Sequence, residues 1–113
     1  GGKIILDDSF NGNLEGMLEA VQISSTHKGR KVIITPGLVE STDEANTTFA
    51  KAVDETFDIV ILTGSLNIDI LSQNISNNKI IILKDKANME DILSEHTQAG
   101  DLILFANDAP NFI

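Results

Sequence analysis

The chain has no cysteine, no tryptophan and no tyrosine, two prolines, and fewer than half as many basic as acidic residues. Without cysteine there is neither a disulfide framework nor a thiolate metal site. The balance of 8 Lys and Arg against 17 Asp and Glu leaves a formal charge of −9. Such a surface repels a phosphate backbone and an anionic bilayer alike, so neither a nucleic-acid nor a membrane partner is expected. No apolar run approaches the roughly 18 residues that a membrane span requires, and no leader pattern opens the chain. A reducing, cytoplasmic location is compatible with the absence of cysteine.

What the chain does have is aliphatic bulk. At 113 residues and 42% apolar content it suffices for one domain, 1–113, with a real core. Five short runs recur: Ile4-Ile5-Leu6, Val32-Ile33-Ile34, Ile59-Val60-Ile61-Leu62, Ile80-Ile81-Ile82-Leu83 and Leu102-Ile103-Leu104-Phe105. Continuous runs of this length fit strands buried on both faces.

Helical periodicity fills the gaps. Leu14, Met17, Leu18 and Val21 recur at i, i+3, i+4 and i+7, with Asn11 or Asn13 as N-cap. Phe49, Ala52, Val53 and Phe57 form a second stripe, preceded by Ser41 and Glu44 at capping-box spacing. Leu66, Ile70, Leu71 and Ile75 suggest a short third helix. Met89, Ile92 and Leu93 suggest a fourth, opened by Asn88 and stopped by Gly100. Alternation of strand and helix implies an α/β fold, a three-layer Rossmann-like domain with a mainly parallel sheet of about five strands and helices on both faces.

Several enzyme signatures are missing. There is no phosphate-cradling G-x-x-x-x-G-K-[ST] loop, no G-x-G-x-x-G after the first strand and no G-x-S-x-G elbow. His27 and His96 lack partners at metal spacing and are expected at the surface. Lys28, Arg30 and Lys31, the single basic cluster, suit the end of the first helix. No catalytic residue is expected within this domain.

Polar residues gather instead where strands end. The first strand runs into Asp7-Asp8-Ser9-Phe10-Asn11-Gly12-Asn13. Ligands of open α/β sheets bind outside the carboxyl ends of strands. Asp and Asn also shape turns and cap helices without any ligand. A phosphorelay receiver is excluded, because Thr63-Gly64 stands where its acceptor Asp would be and Phe105-Ala106-Asn107 where its Lys would be.

Three stretches together resemble the C-terminal domain of the Mur ligases, in the UDP-N-acetylmuramoyl-tripeptide–D-alanyl-D-alanine ligase branch. The first strand exit is similar to that family's D-D-S-[YF]-N-x-N-P, with Leu14 in place of Pro. Ile34-Thr35-Pro36-Gly37-Leu38-Val39-Glu40 is similar to its [VI]-T-P-G-[ML]-[IV]-E, although Ser41-Thr42-Asp43 follows where relatives have Leu-Gly-Glu. Gly100-Asp101-Leu102-Ile103-Leu104-Phe105-Ala106-Asn107-Asp108-Ala109-Pro110 is similar to its closing G-D-x-[VI]-L-F-x-N-D-x-P.

The resemblance implies a strand order of first-last-second-third-fourth, which sets the first, last and second exits side by side and the third and fourth further away. It implies ATP contacts at Asp8, with Asp7 in support, and at Asn11 and Asn13. It implies contacts to the incoming dipeptide at Asn107, Asp108 and Glu40. The whole enzyme would join D-alanyl-D-alanine to a UDP-muramoyl-tripeptide through an acyl phosphate, in bacterial cell-wall precursor synthesis. ATP and Mg²⁺ would be bound mainly by its own central domain, against which this domain closes. The start at Gly1-Gly2, directly before a strand, suits an excised domain, expected to be monomeric and inactive alone. The alternative is a non-catalytic acidic α/β binding or scaffold module.

Overall fold

The computed structural model describes residues 2–9 and 12–108. Its five strands are β1 (Ile4–Asp8), β2 (Lys31–Thr35), β3 (Ile59–Thr63), β4 (Ile80–Leu83) and β5 (Leu102–Ala106). Its helices are α1 (Leu14–Ser25), α2 (Asp43–Thr56), α3 (Ile68–Asn74) and α4 (Met89–His96). The strands form one sheet in the order β1-β5-β2-β3-β4, and every pairing is parallel. The expected fold class and strand order are both observed.

Handedness explains how the helices are shared between the faces. From β1 through β4 the chain advances across the sheet in one direction, so right-handed crossovers put α1, α2 and α3 on one face. The step from β4 back to β5 reverses direction and sends α4 to the other. The core divides accordingly. Met17, Phe49, Val53 and Leu71 pack on Ile33, Val60, Leu62 and Leu104. Met89 and Leu93 pack on Val32, Ile34, Ile61, Ile103 and Phe105. Burying each such side chain contributes about 1.5–3 kcal/mol.

Several local expectations need correction. The two outer strands are not buried on both faces: Ile4, Ile5 and Ile82 are exposed, because an edge strand has one neighbour and little helix above it. Asn13 does cap α1, its side chain accepting from Gly16 N at 2.7 Å. The cap of α2 is Thr42 rather than Ser41, bonded to Ala45 N at 3.0 Å. Leu66 lies outside α3 and is 70% exposed. Asn88 opens α4 without a side-chain cap bond, and the helix ends at His96. Gly100, at φ +93°, makes the later turn into β5 instead.

The basic cluster does not close the first helix as expected, because α1 ends at Ser25 with no basic residue in its last turn. Lys31 Nζ donates to the carbonyls of His27 and Gly29, while Arg30 pairs with Asp101 across the amino ends of the strands. His27 Nε2 lies 2.8 Å from the Gly100 carbonyl oxygen, a structural contact. Among the described residues no helix is long and apolar enough to cross a membrane.

Candidate functional site at the carboxyl edge of the sheet

Asn107 joins the exits of β1 and β2. Its backbone N–H donates to the Asp8 carbonyl at 3.1 Å, continuing the β1–β5 ladder by one step. Its side-chain amide donates to the Gly37 carbonyl at 3.0 Å. Asn107 holds φ at +58°, a left-handed conformation that Asn tolerates better than most residues. A Cβ at Gly12 would stand 3.2 Å from Asn107 Oδ1, so the loop entering α1 also runs close to this side chain. The three exits expected to adjoin do adjoin.

At the β1 exit the side chains divide their work. Asp7 accepts from Ser9 N at 3.0 Å and from the Ser9 hydroxyl, the local turn that Asp commonly makes. Asn13 caps α1. Asp8 projects to the opposite face from Asp7 and is half-buried. Asn11 lies outside the described residues.

The exit of β2 is pinned from several sides. Gly37 N donates to Thr35 Oγ1 at 3.0 Å, and Leu38 N to Asn46 Oδ1 at 2.8 Å. Asn46 Nδ2 returns a bond to the Leu38 carbonyl at 3.0 Å. Asn67 Nδ2 donates to the carbonyls of Pro36 and Leu38 at 3.1 and 3.0 Å. The Thr35-Pro36-Gly37 segment is thus a rigid structural turn, and Glu40 stands exposed beyond it. Neither Asn46 nor Asn67 was singled out from sequence. The signal for Asn46 was present: it sits three and four residues before Phe49 and Ala50, a polar residue on the apolar stripe of α2.

Gly37 is fixed by the same crowding. Its φ is +79°, and a Cβ there would lie 2.6 Å from Asn46 Oδ1 and 3.1 Å from Leu71 Cδ1. Gly37→Ala is expected to cost about 2 kcal/mol, from the left-handed backbone plus the displaced Asn46. Urea unfolding measures this directly; a loss of a few tenths would mean that the loop shifts freely.

Asp108 departs from the expected separation of the strand exits. Its carboxylate accepts from the Thr63 hydroxyl at the end of β3 and pairs with Lys86 beyond β4. The last loop therefore reaches past β2 to the third and fourth exits. Asp108 is buried, and both of its oxygens are engaged within the chain.

No group of three His, Cys, Asp or Glu side chains able to hold a metal ion occurs among the described residues. A recess of about 180 Å³ beside Asp8, walled by Leu6, Ala20, Ile23 and Leu104, is too small to enclose a nucleotide. This edge offers hydrogen-bond acceptors and a rigid rim, and any large ligand must be covered from outside.

No family model and no curated protein matches the sequence. Solved structures do match. A domain attributed to a UDP-N-acetylmuramate:L-alanyl-γ-D-glutamyl-meso-diaminopimelate ligase of Haemophilus ducreyi superposes with a TM-score of 0.69 at 13% identity, over 96% of this chain and 81% of that one. The MurF ligase of Thermotoga maritima, solved in complex with ADP, superposes with a TM-score of 0.73 at 22% identity, over 95% of this chain and 25% of that one. The chain has the fold of these Mur ligase domains. At such identities the likeness establishes the fold alone. In the Thermotoga ligase that fold corresponds to one quarter of a much longer chain.

Proposed function

We propose that this chain is the C-terminal domain of an ATP-dependent peptide ligase that adds D-alanyl-D-alanine to UDP-N-acetylmuramoyl-tripeptide. The observation that carries this reading is Asn107, bonded at once to Asp8 and Gly37, which makes one continuous rim of three strand exits in a Mur-ligase-domain fold. The resembling motifs are the stretches that form this rim.

In the reaction so proposed, the tripeptide carboxylate is activated as an acyl phosphate and the dipeptide amine displaces phosphate. Mg²⁺, held by another domain, offsets phosphate charge when bound. This domain serves as a lid. Closing it excludes water from an intermediate that hydrolyses easily and brings the amine into line. Half-buried Asp8 accepts hydrogen bonds from the ribose hydroxyls, and Asp7 keeps the turn that presents it. Asn11 contacts the adenine edge, while Asn13 holds the start of α1. Asn107 and Glu40 line the side from which the dipeptide enters. Asp108 orders the loop through Lys86 and Thr63, and could meet an ammonium group only if Lys86 yields.

Asp8→Ala in the full-length ligase is expected to raise the KM for ATP about tenfold, the effect of losing a charge-assisted hydrogen bond. The far-ultraviolet spectrum and melting behaviour should stay near those of the parent. An unchanged KM removes the ribose assignment.

A further inference from the structure

The outer side of β1 is an unfinished sheet edge. Among the described residues β1 has one neighbouring strand, β5. Ile4 N donates to the Asp101 carbonyl at 2.9 Å, Asn107 N to the Asp8 carbonyl at 3.1 Å, and Gly100 N to the Gly2 carbonyl at 2.9 Å. Gly2, Ile4, Leu6 and Asp8 therefore turn their backbone groups toward β5. Alternate residues of a strand address opposite neighbours, so Lys3, Ile5 and Asp7 turn theirs outward. Such a row is a template for another strand. Its surroundings are apolar and open, since Ile4, Ile5 and, on α1, Ile23 are all exposed.

The sequence of this edge is complementary to itself. In an antiparallel pair with a second copy, centred on Ile5, Lys3 stands opposite the partner's Asp7 and Asp7 opposite the partner's Lys3. These are outward-facing positions, where directly opposed residues exchange backbone hydrogen bonds and their side chains interact across the strands. A lone edge lysine repels a copy of itself; a lysine and an aspartate at equal distances from the centre attract one. Register places Ile5 beside Ile103 on the α4 face and Leu6 beside Leu104 on the α1 face. On that α1 face Leu6 stands opposite the partner's Ile4. Leu6 also walls the recess of about 180 Å³ with Ala20 and Ile23, so the partner's Ile4 arrives at its mouth.

We propose that β1 pairs antiparallel with β1 of a second copy of this chain, across a two-fold axis at Ile5, so that the two sheets become one. The proposal does not depend on the ligase reading, and it departs from the monomer expected of this domain. A contact of this kind uses the same edge on both copies, so it closes as a dimer and leaves no β1 edge open. A strip one strand wide buries less than the roughly 1,200 Å² of a standard interface. The charge of −9 on each chain also opposes approach. The dimer is therefore weak, with an expected Kd of about 0.1 mM.

Sedimentation equilibrium of the 113-residue chain, from about 10 µM to about 1 mM, tests this. The parent is expected to pass from monomer to dimer over that range. Ile5→Lys and Ile5→Glu each set like charges face to face across the axis, and each alone should stay monomeric. Mixed in equal amounts the two should associate, because only then do opposite charges meet at the centre. Lys3→Glu sets an acid opposite Asp7 at both ends of the pair and should weaken association about tenfold. Ile5 is exposed, and charged residues are common on sheet edges, so its variants keep the fold. A parent that stays monomeric overturns the proposal and leaves the edge to a strand of a different protein. Association of the single variants equal to that of the parent also overturns it, since the contact then lies on another surface. So does a mixture no more associated than its components. The ATP KM of Asp8→Ala, which tests the ligase reading, is independent of all these outcomes.

Discussion

Asp101→Ala is expected to lower the unfolding free energy by about 2–4 kcal/mol, and the melting temperature by roughly 10 °C. Asp101 is 2% exposed and lies in the turn between α4 and β5. Its carboxylate accepts from Arg30 Nη2 at 2.8 Å, from Arg30 Nε at 3.2 Å and from Gln98 N at 2.9 Å. Arg30 Nη2 also donates to the His96 carbonyl, the last residue of α4. One carboxylate thereby ties the end of α4, the start of β5 and the segment entering β2. Removing it leaves the Gln98 N–H and the Arg30 guanidinium group without their shared acceptor. The guanidinium side chain is 37% exposed and recovers part of its hydration, which holds the loss below that of a fully buried pair.

The same contacts predict the pH dependence. Burial pushes the Asp101 carboxyl up, but the Arg30 hydrogen bonds, the Gln98 N–H and the charges of Arg30 and Lys3 outweigh it and hold the group below the usual carboxylate range. A lowered folded-state pKa contributes stability above the unfolded value of about 3.9, lost as pH falls through the folded value. The gap between parent and Asp101→Asn should therefore be full at neutral pH and close progressively in acid. A gap that stays constant down to strongly acidic pH would exclude the ion pair as its source.

Much of the fold could be read from runs of three or four aliphatic residues separated by helical stripes, because buried parallel strands require such runs. The finer errors have physical causes. Ser41 and Thr42 are both good caps, and the choice fell to whichever hydroxyl the turn after Glu40 aimed at Ala45 N. Leu66 matched the period of α3, yet periodicity does not report where a helix begins, and Asn67 turns away to bind the β2 loop. Ile82 sits in a run indistinguishable from the others, and only strand order reveals it as an edge residue.

The site was legible by type and less so by partner. Asn107 is marked only by the resemblance, since its position alone suits a plain turn after the last strand, and the structure adds its bond to Gly37. The resemblance sets Asp108 against the incoming dipeptide; its neighbours in the structure, Thr63 and Lys86, come from segments 45 and 22 residues away, a proximity no local pattern encodes. Asn46 and Asn67 escaped notice because carboxamides read as surface or cap residues unless their burial is known. Their role is to replace water for a loop that the fold has buried.

That role sets the second large effect, Asn46→Ala, expected to destabilise the domain by about 3 kcal/mol. Asn46 is 1% exposed and bonds both backbone groups of Leu38, with a longer contact to the Thr42 carbonyl at 3.4 Å. The two losses are unequal. The Leu38 carbonyl keeps Asn67, but the Leu38 N–H loses its partner in a place closed to water. An orphaned buried donor costs about 1–3 kcal/mol, and the vacated volume adds a cavity term. Asn46→Asp is no remedy, since it keeps an acceptor for the N–H but turns a carboxylate oxygen toward two carbonyls. Because Asn46 and Asn67 share the Leu38 carbonyl, the double variant should lose more than the sum of the singles. Hydrogen exchange separates the mechanism from general loosening. The Leu38 amide should lose protection well before the amides of β2, and the Gly37–Asn107 bond should weaken with it. A protected Leu38 amide in Asn46→Ala, with less than about 1 kcal/mol lost, would mean that the β2 exit is held by its neighbours and that the rim's rigidity has another source.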